Sequence, residues 1–420
     1  MNVRLLVLAA VGCGVWSGVA RASDWPQWMG PQRTGVSQEK SLLKEWPKDG
    51  PKLLWHVKDL GYGFGSVAVS TGRIYLLCNE GKDSESVVAR SAKDGGKLWS
   101  TRLGKVGNPD QQPNYPAARS TPTVDGGFVY ALSSDGDIAC VEAVGGKLRW
   151  KKSLRTDFGG VPGIWAYSES PLVDGNKVLV TPGGPGATIV ALNKKTGDVI
   201  WKSAVPGGDR AGYASAVVAE AGGVRQYVQF LGNGLVGVDA ATGKFLWRYD
   251  KTAETKMGSQ IATPVLNGSL IYTGTNMVGG GLARLETTGG AIEAKPVYFA
   301  KKLPGGTSGY LRVGDYLYGT VGPSLLCVDF ATGDIKWQDR GVGAGSLCAA
   351  DGRLYVHGEN GEVALVEATS QGYHEKGRFS PPEQPDRSSA KSWNYPIIAN
   401  GRLYVRDLGV LYCYDIVGTK

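Results

Sequence analysis

Residues 238 to 247 read V-D-A-A-T-G-K-F-L-W, an acidic residue followed four positions later by Gly and eight positions later by Trp. The same spacing returns as Asp329, Gly333 and Trp337, as Asn193, Gly197 and Trp201, as Glu142, Gly146 and Trp150, and as Ser91, Gly95 and Trp99. Two weaker copies keep part of it: Glu286 with Gly290 but no Trp, and Glu367 with Gly372 one place late. Copies recur roughly every 40 to 50 residues, a period that belongs to propellers and solenoid arrays.

An apolar run precedes each acidic position and another ends in the Trp, so each copy reads as strand, tight turn, strand. Asp, Glu or Asn at the turn entry accepts backbone N–H bonds, and Gly takes the positive φ that other residues reach only at a cost. Upstream stands a second strand pair with its own signature: S-T-P-T-V-D-G-G-F-V-Y at 120, S-P-L-V-D-G-N-K-V-L-V at 170, T-P-V-L-N-G-S-L-I-Y at 263 and S-L-C-A-A-D-G-R-L-Y-V at 346. Four short antiparallel strands cannot bury both faces alone, and radial stacking of such sheets solves the problem. The recurring Trp then fills the gap between neighbouring blades. That role is expected of Trp55, Trp99, Trp150, Trp201, Trp247 and Trp337.

First strands begin at Ser66, Ser120, Ser170, Ser215, Thr263, Ser308, Ser346 and Tyr395, which makes eight units. The final residues, Y-D-I-V-G-T-K from 414, align with V-D-A-A-T-G-K from 238, so the chain stops where the last fourth strand is due. K-L-L-W-H at 52 to 56 resembles K-F-L-W-R at 244 to 248 and supplies it. The expected fold is an all-β, eight-bladed propeller of four-stranded antiparallel blades, closed by an N-terminal strand. Residues 52–420 form the propeller. Residues 23–51 form a leader outside that closing strand, and so the more dispensable part.

The N-terminus carries Arg4, an uncharged stretch from Leu5 to Ala20, then Ala20-Arg21-Ala22. This is the pattern of a signal peptide over residues 1–22, too short to span a membrane. The protein is therefore expected to be exported, periplasmic or extracellular, without a transmembrane segment; Cys13 matches a lipid-attachment site poorly. Loss of Arg4 and Arg21 takes the formal charge from +8 to +6, and the remaining cations are scattered singly, which offers no nucleic-acid groove. The five remaining cysteines, Cys78, Cys140, Cys327, Cys348 and Cys413, lie far apart and read as small buried hydrophobes.

The acidic-x-x-x-Gly-x-x-x-Trp repeat resembles that of the pyrroloquinoline quinone (PQQ) repeat family of eight-bladed propellers, over essentially the whole chain from D-W-P-Q-W-M-G-P at 24 onward. That family contains quinoprotein alcohol and glucose dehydrogenases and also non-catalytic members such as an outer-membrane barrel-assembly lipoprotein, so the resemblance speaks for fold more than for chemistry.

His56, His357 and His374 share no short spacing with Cys or one another, and no nucleophile elbow or phosphate loop is present. Gly232-x-Gly234-x-x-Gly237 lies in a strand-turn-strand repeat with no helix after it, and Asp135-Gly136-Asp137 is ordinary hairpin chemistry. Connections between blades gather at one end of a propeller channel, where pockets form. Here they carry Tyr62 and Phe64, Tyr115 and Arg119, Trp165, Tyr167 and Glu169, Arg210 and Tyr213, Lys256 and Gln260, and Arg387, Trp393, Asn394 and Tyr395. In the quinoprotein dehydrogenases such a mouth holds PQQ and Ca²⁺, and the resemblance makes Arg119, Glu169, Trp393 and Asn394 the residues of the right types. The paired adjacent cysteines of those enzymes are absent, and no acidic residue suits the base. The expectation is a binding or scaffolding module for a protein, glycan or small ligand at the channel mouth, with a PQQ- and calcium-dependent alcohol or sugar dehydrogenase as the alternative.

Overall fold

In the computed structural model, residues 23–110, 117–256, 258–387 and 390–418 are described. The expected signal peptide, Cys13 and Tyr115 fall outside them. Eight sheets follow one another along the chain, each with four antiparallel strands, and one of them gains a fifth, parallel strand, Val36–Ser37. The only helix among the described residues is a single turn and a half, Leu154–Phe158. Blade 1 runs from Ala68 to Gly104, blade 2 from Thr123 to Ser153, blade 3 from Leu172 to Ser203 and blade 4 from Val217 to Tyr249. Blades 5, 6 and 7 occupy Val265–Ala300, Tyr310–Asp339 and Gly345–Phe379. Blade 8 takes three strands between Ile397 and Asp415 and its outermost strand, Lys52–Val57, from the other end of the chain. The register pairs Lys52 with Asp415, Leu53 with Tyr414, Trp55 with Cys413 and Val57 with Leu411, the closure expected from sequence.

The repeat owes its spacing to the seam between blades. Asp239 Oδ1 accepts the N–H groups of Ala241 and Thr242, and Asp329 and Asn193 bond their own turns in the same way. The Gly then has two reasons to be Gly. Its φ is positive, +70 to +81° at Gly95, Gly146, Gly197, Gly243 and Gly333. A Cβ there would also lie only 2.4 to 2.8 Å from an aromatic ring of the preceding blade: Trp55, Trp99, Trp150, Trp201 and Tyr298 in turn. Each of these rings also donates its polar hydrogen to a carbonyl in that next turn, Trp99 to Ala143 and Trp150 to Lys194, for example. The Trp of one blade is seated on the Gly of the next.

Four seams depart from the pattern. Trp337 of blade 6 donates to Thr369 O in the blade 7 turn, but Gly372, one place late, has only the His374 side chain near its missing Cβ. In blade 5 the last hairpin is lengthened to strands Gly279–Thr288 and Ala291–Ala300, which moves the docking ring to Tyr298, where the sequence shows no Trp. Trp247 is buried in a cluster with Ile271, Ala283 and Ile292 of blade 5, yet its indole N–H turns back to Gln226 of its own blade. In blade 7 the place of the aromatic falls near Gly377, and Trp46 of the leader enters there instead. Its backbone N–H donates to Lys376 O at 2.8 Å, and a Cβ on Gly377 would strike the Trp46 Cβ at 2.7 Å. The Trp46 ring lies 6.0 Å from Tyr355, as Trp99 does from Tyr75, and it packs edge-on against Phe379.

The leader is therefore not peripheral. Trp25, Met29, Leu42 and Trp46 are all buried. Residues 25–36 also touch the inner edge of every blade. Trp25 exchanges hydrogen bonds with Val69, Pro26 accepts from Val124, and Arg33 donates to Ser170, Pro171 and Ala216. Trp28 donates to Thr263 and packs edge-to-face with Tyr395, Gly35 abuts Leu311, and Val36 pairs with Ala349. A segment in contact with all eight innermost strands lies across the channel axis, so the leader is the hub of the ring. Beyond the hub, Glu39 accepts the backbone N–H groups of Asn400 and Gly401, and Leu43 N–H donates to Ile416 O.

Candidate functional site

The hub divides the channel into two hollows. On the side where the blade connections converge lies a cavity of about 340 Å³ with Trp28 as part of its wall. Around it stand Phe64 and Trp393, 5.1 Å apart, Trp165 and Tyr213, 5.7 Å apart, and Tyr395 against Trp28 at 4.6 Å. Ile261 and Met277 complete the apolar surface, with Ser168, Ser170, Ser215, Ser259, Asn276 and Thr307 between.

The innermost strands begin at this end with the hydroxyl residues counted from sequence, and these tie blade to blade. Ser170 N–H donates to Ser215 Oγ, Thr121 N–H to Ser170 Oγ, and Ser66 Oγ to Tyr395 O, which bonds blade 1 to blade 8 at the closing seam. The aromatic rings are held by their polar edges. Trp28 Nε1 donates to Thr263 Oγ1 at 2.8 Å, Trp393 Nε1 donates to Glu359 at 2.9 Å, and Tyr213 Oη accepts Trp165 N–H. Glu359 is in turn paired with Lys391 at 2.7 Å. The indoles of Trp28 and Trp393, pinned in this way, offer their faces to whatever enters.

Arg119 supplies the only side-chain charge in the described lining, which includes no carboxylate. Its guanidinium lies 5.2 Å over the Phe64 ring. Burial pushes it down to about 10, against the pull of Tyr213 and Glu85. Arg210, exposed on the adjoining connection, adds a second cation near Tyr213. Behind the wall lie two buried carboxylates, Glu85 and Glu169. Burial raises each to about 7, more than their hydrogen bonds to Ser134 and to Thr181 lower them.

Of the four residues singled out by type, Arg119 and Trp393 meet at the cavity, while Glu169 and Asn394 stand behind it. The Glu169 carboxylate accepts from Thr181 N–H and Oγ1 and from Gln229 Nε2, and faces the buried Arg33 of the hub, whose guanidinium burial pushes down to about 9. Asn394 Nδ2 donates to the carbonyls of Gly63 and Gly65. Arg387 is paired with Asp407, Tyr167 donates to Pro182 O, and Gln260 donates to Gly232 and Glu254 carbonyls. Trp28, Ile261, Asn276 and Met277 entered the site unannounced. Met277 sits in the turn between the second and third strands of blade 5, and only the W-P-Q-W spacing of the leader hinted at Trp28.

Asp135 and Asp137 are paired with Arg155 and Lys151. All five cysteines in the described residues are buried and unpaired. Among the described residues no cluster of His, Cys, Asp or Glu is built to hold a metal, and no helix is long and apolar enough to cross a membrane.

A family model described as outer membrane protein assembly factor BamB matches residues 83–339. The assembly factor BamB of Burkholderia pseudomallei is 26% identical over 359 residues, 71% of this chain and 84% of that protein. That of Yersinia pestis is 25% identical over 53% of this chain and 55% of its own length. Among solved structures, BamB of Moraxella catarrhalis superposes with a TM-score of 0.60 at 15% identity, over 87% of this chain and 100% of that one. The quinohemoprotein alcohol dehydrogenase of Comamonas testosteroni superposes at 0.54 and 13% identity, over 96% of this chain and 82% of that one. At such identities the superpositions speak for the fold alone.

Proposed function

Because the chain belongs to the family of outer membrane protein assembly factor BamB, we propose that it is an exported scaffold that holds a protein partner at the channel mouth in the service of outer-membrane protein assembly. The observation that carries this reading is the mouth itself. Its aromatic faces are fixed by hydrogen bonds to the frame, it is closed from below by the hub, and it lacks any carboxylate in the described lining. Such a surface supports recognition without supplying a general base. A glycan or small ligand is the other occupant that aromatic faces and hydroxyls accept, and a protein partner follows from the names of the relatives.

The dehydrogenase reading needs PQQ and Ca²⁺ at this mouth. The lining offers hydroxyls, one amide and one guanidinium, whereas calcium asks for several oxygens including carboxylates. The nearby carboxylate and amide, Glu169 and Asn394, are turned to the frame. The residues present do not fit the group. The mature protein with added PQQ and Ca²⁺ is expected to take up no stoichiometric cofactor and to reduce no dye with alcohols or sugars.

Site-specific photocrosslinking tests the scaffold reading. Met277 is 73% exposed at the rim, and Val144 is 67% exposed in a hairpin that the antiparallel blade order places at the opposite end. A crosslinker at 277 is expected to trap a discrete envelope protein, and one at 144 is not. A strain lacking the protein should carry less outer-membrane β-barrel protein. Equal trapping at both positions with unchanged barrel levels overturns the proposal.

A further inference from the structure

We propose that the mouth cavity receives one large apolar side chain together with an adjacent carboxylate, both presented by an acidic segment of a polypeptide partner. This deepens the scaffold reading and rests on it. The volume, about 340 Å³, suits a single large side chain with some backbone. The paired rings give that side chain an apolar envelope, with the indole N–H groups of Trp28 and Trp393 already donated to Thr263 and Glu359 and the Tyr213 hydroxyl oxygen accepting from the Trp165 backbone.

Charge selects the second element. Arg119 brings the one formal charge of the described lining into a low-dielectric wall, where burial weakens it, and Arg210 adds to the same field at Tyr213. The carboxylates behind this wall are held by the frame: Glu85, which also pulls on Arg119, bonds Ser134, Glu169 bonds Thr181, and Glu359 pairs with Lys391. An incoming carboxylate gains a charge-assisted hydrogen bond to Arg119, whose guanidinium stays protonated at neutral pH. An incoming ammonium meets two cations. The rings alone would welcome a cation over their faces, so the sign of the preference depends on the two arginines.

Calorimetric titration of the mature protein tests this with four probes: Ac-Trp-Asp-NH2, Ac-Trp-Asn-NH2, Ac-Trp-Lys-NH2 and indole-3-acetate. The Asp peptide is expected to bind at least about tenfold more tightly than the Lys peptide, with the Asn peptide between them. Arg119→Gln should collapse that spread while leaving the Asn peptide within about threefold. Ser259→Trp, which fills the cavity from a different connection, should abolish all binding in a protein that retains the wild-type melting temperature. Equal affinities, a preference for Lys, or no binding by the folded wild type overturn the proposal. Indole-3-acetate binding more tightly than every peptide assigns the same chemistry to a small acid and overturns the polypeptide source. Failure here with trapping at Met277 intact leaves the scaffold standing and removes only the cavity; success here without trapping removes the scaffold.

Discussion

The seam between blades 3 and 4 and the seam between blades 7 and 8 perform one task with different material. In the first, Trp201 is seated on Gly243 and donates to Ala240 O, all within the local repeat. In the second, blade 7 has no such Trp, and Trp46 arrives from the leader to lie against Tyr355 and beside Gly377. What the two seams share is an aromatic volume between blades, and the chain segment that supplies it is free to vary. Such a volume is legible as a repeat only when it is local.

The largest effect expected from breaking this equivalence is the loss of the leader. Deleting residues 24–45 removes Trp25, Met29, Arg33 and Leu42 from the interior and unseats Trp46, so the protein should fail to give a cooperative melting transition and should aggregate. A cooperative transition within about 5 °C of the full protein would show the hub to be ornamental.

Next in size come the two tryptophans themselves. Trp201→Ala and Trp46→Ala should each cost about 3 to 5 kcal/mol in denaturant unfolding. The double variant should lose the sum, since the seams share no partner. A Trp46 cost below about 1 kcal/mol would sever the comparison.

Smaller again is the effect of Gly243→Ala, which combines an unfavourable positive φ with a Cβ 2.4 Å from Trp201. About 2 to 3 kcal/mol is expected in the same unfolding assay. Gly175, whose φ is +59° with nothing near its missing Cβ, is the control. Ala there should cost about 1 kcal/mol, and equal losses at the two sites would mean that the ring contact adds nothing.

The smallest effect concerns a polar seam, Glu85 of blade 1 bonded to Ser134 of blade 2. Burial lifts its carboxyl from 4.5 to about 7, so between these values the folded protein holds a proton that the unfolded chain has released. This contribution to stability is complete below pH 4.5, declines as pH rises to 7 and is level above. Glu85→Gln should flatten the decline, gaining on the wild type by on the order of 1 to 2 kcal/mol between pH 4.5 and pH 7.5. Parallel stability curves for the two proteins would place the titration elsewhere.

How far the sequence discloses this molecule depends on whether its determinants are local. Eight blades, their turns and the Lys52–Val57 closure follow from patterns within a hairpin, since K-L-L-W-H matches the last strand of a repeat and does pair with the strand that ends at Asp415. Tyr298 escaped because a lengthened hairpin shifted the ring away from the repeat spacing. The hub escaped because Trp25, Trp28 and Arg33 act on inner strands of every blade, a set of contacts with no period to read. At the mouth, residue type alone could not separate Arg119 and Trp393, which face the cavity, from Glu169 and Asn394, which hold the frame.

The placement of the hub also sets an order of events. Residues 25–57 are made before any blade, yet their partners include Ala349, Lys376, Gly401 and Leu411 to Asp415, which are among the last to be made. Blades 1 to 6 can pair within themselves as they appear, since their ladders join neighbouring stretches of chain. The beginning of the protein has to wait for its end, and contacts of such long sequence separation are slow to form. Throughout that interval the inner strands surround an open axle hole, and the outer edge of the eighth sheet is bare. Docking of the first segment onto a nearly finished wheel is therefore expected to come late in folding, and it is during that wait that proteases and chaperones have their opportunity.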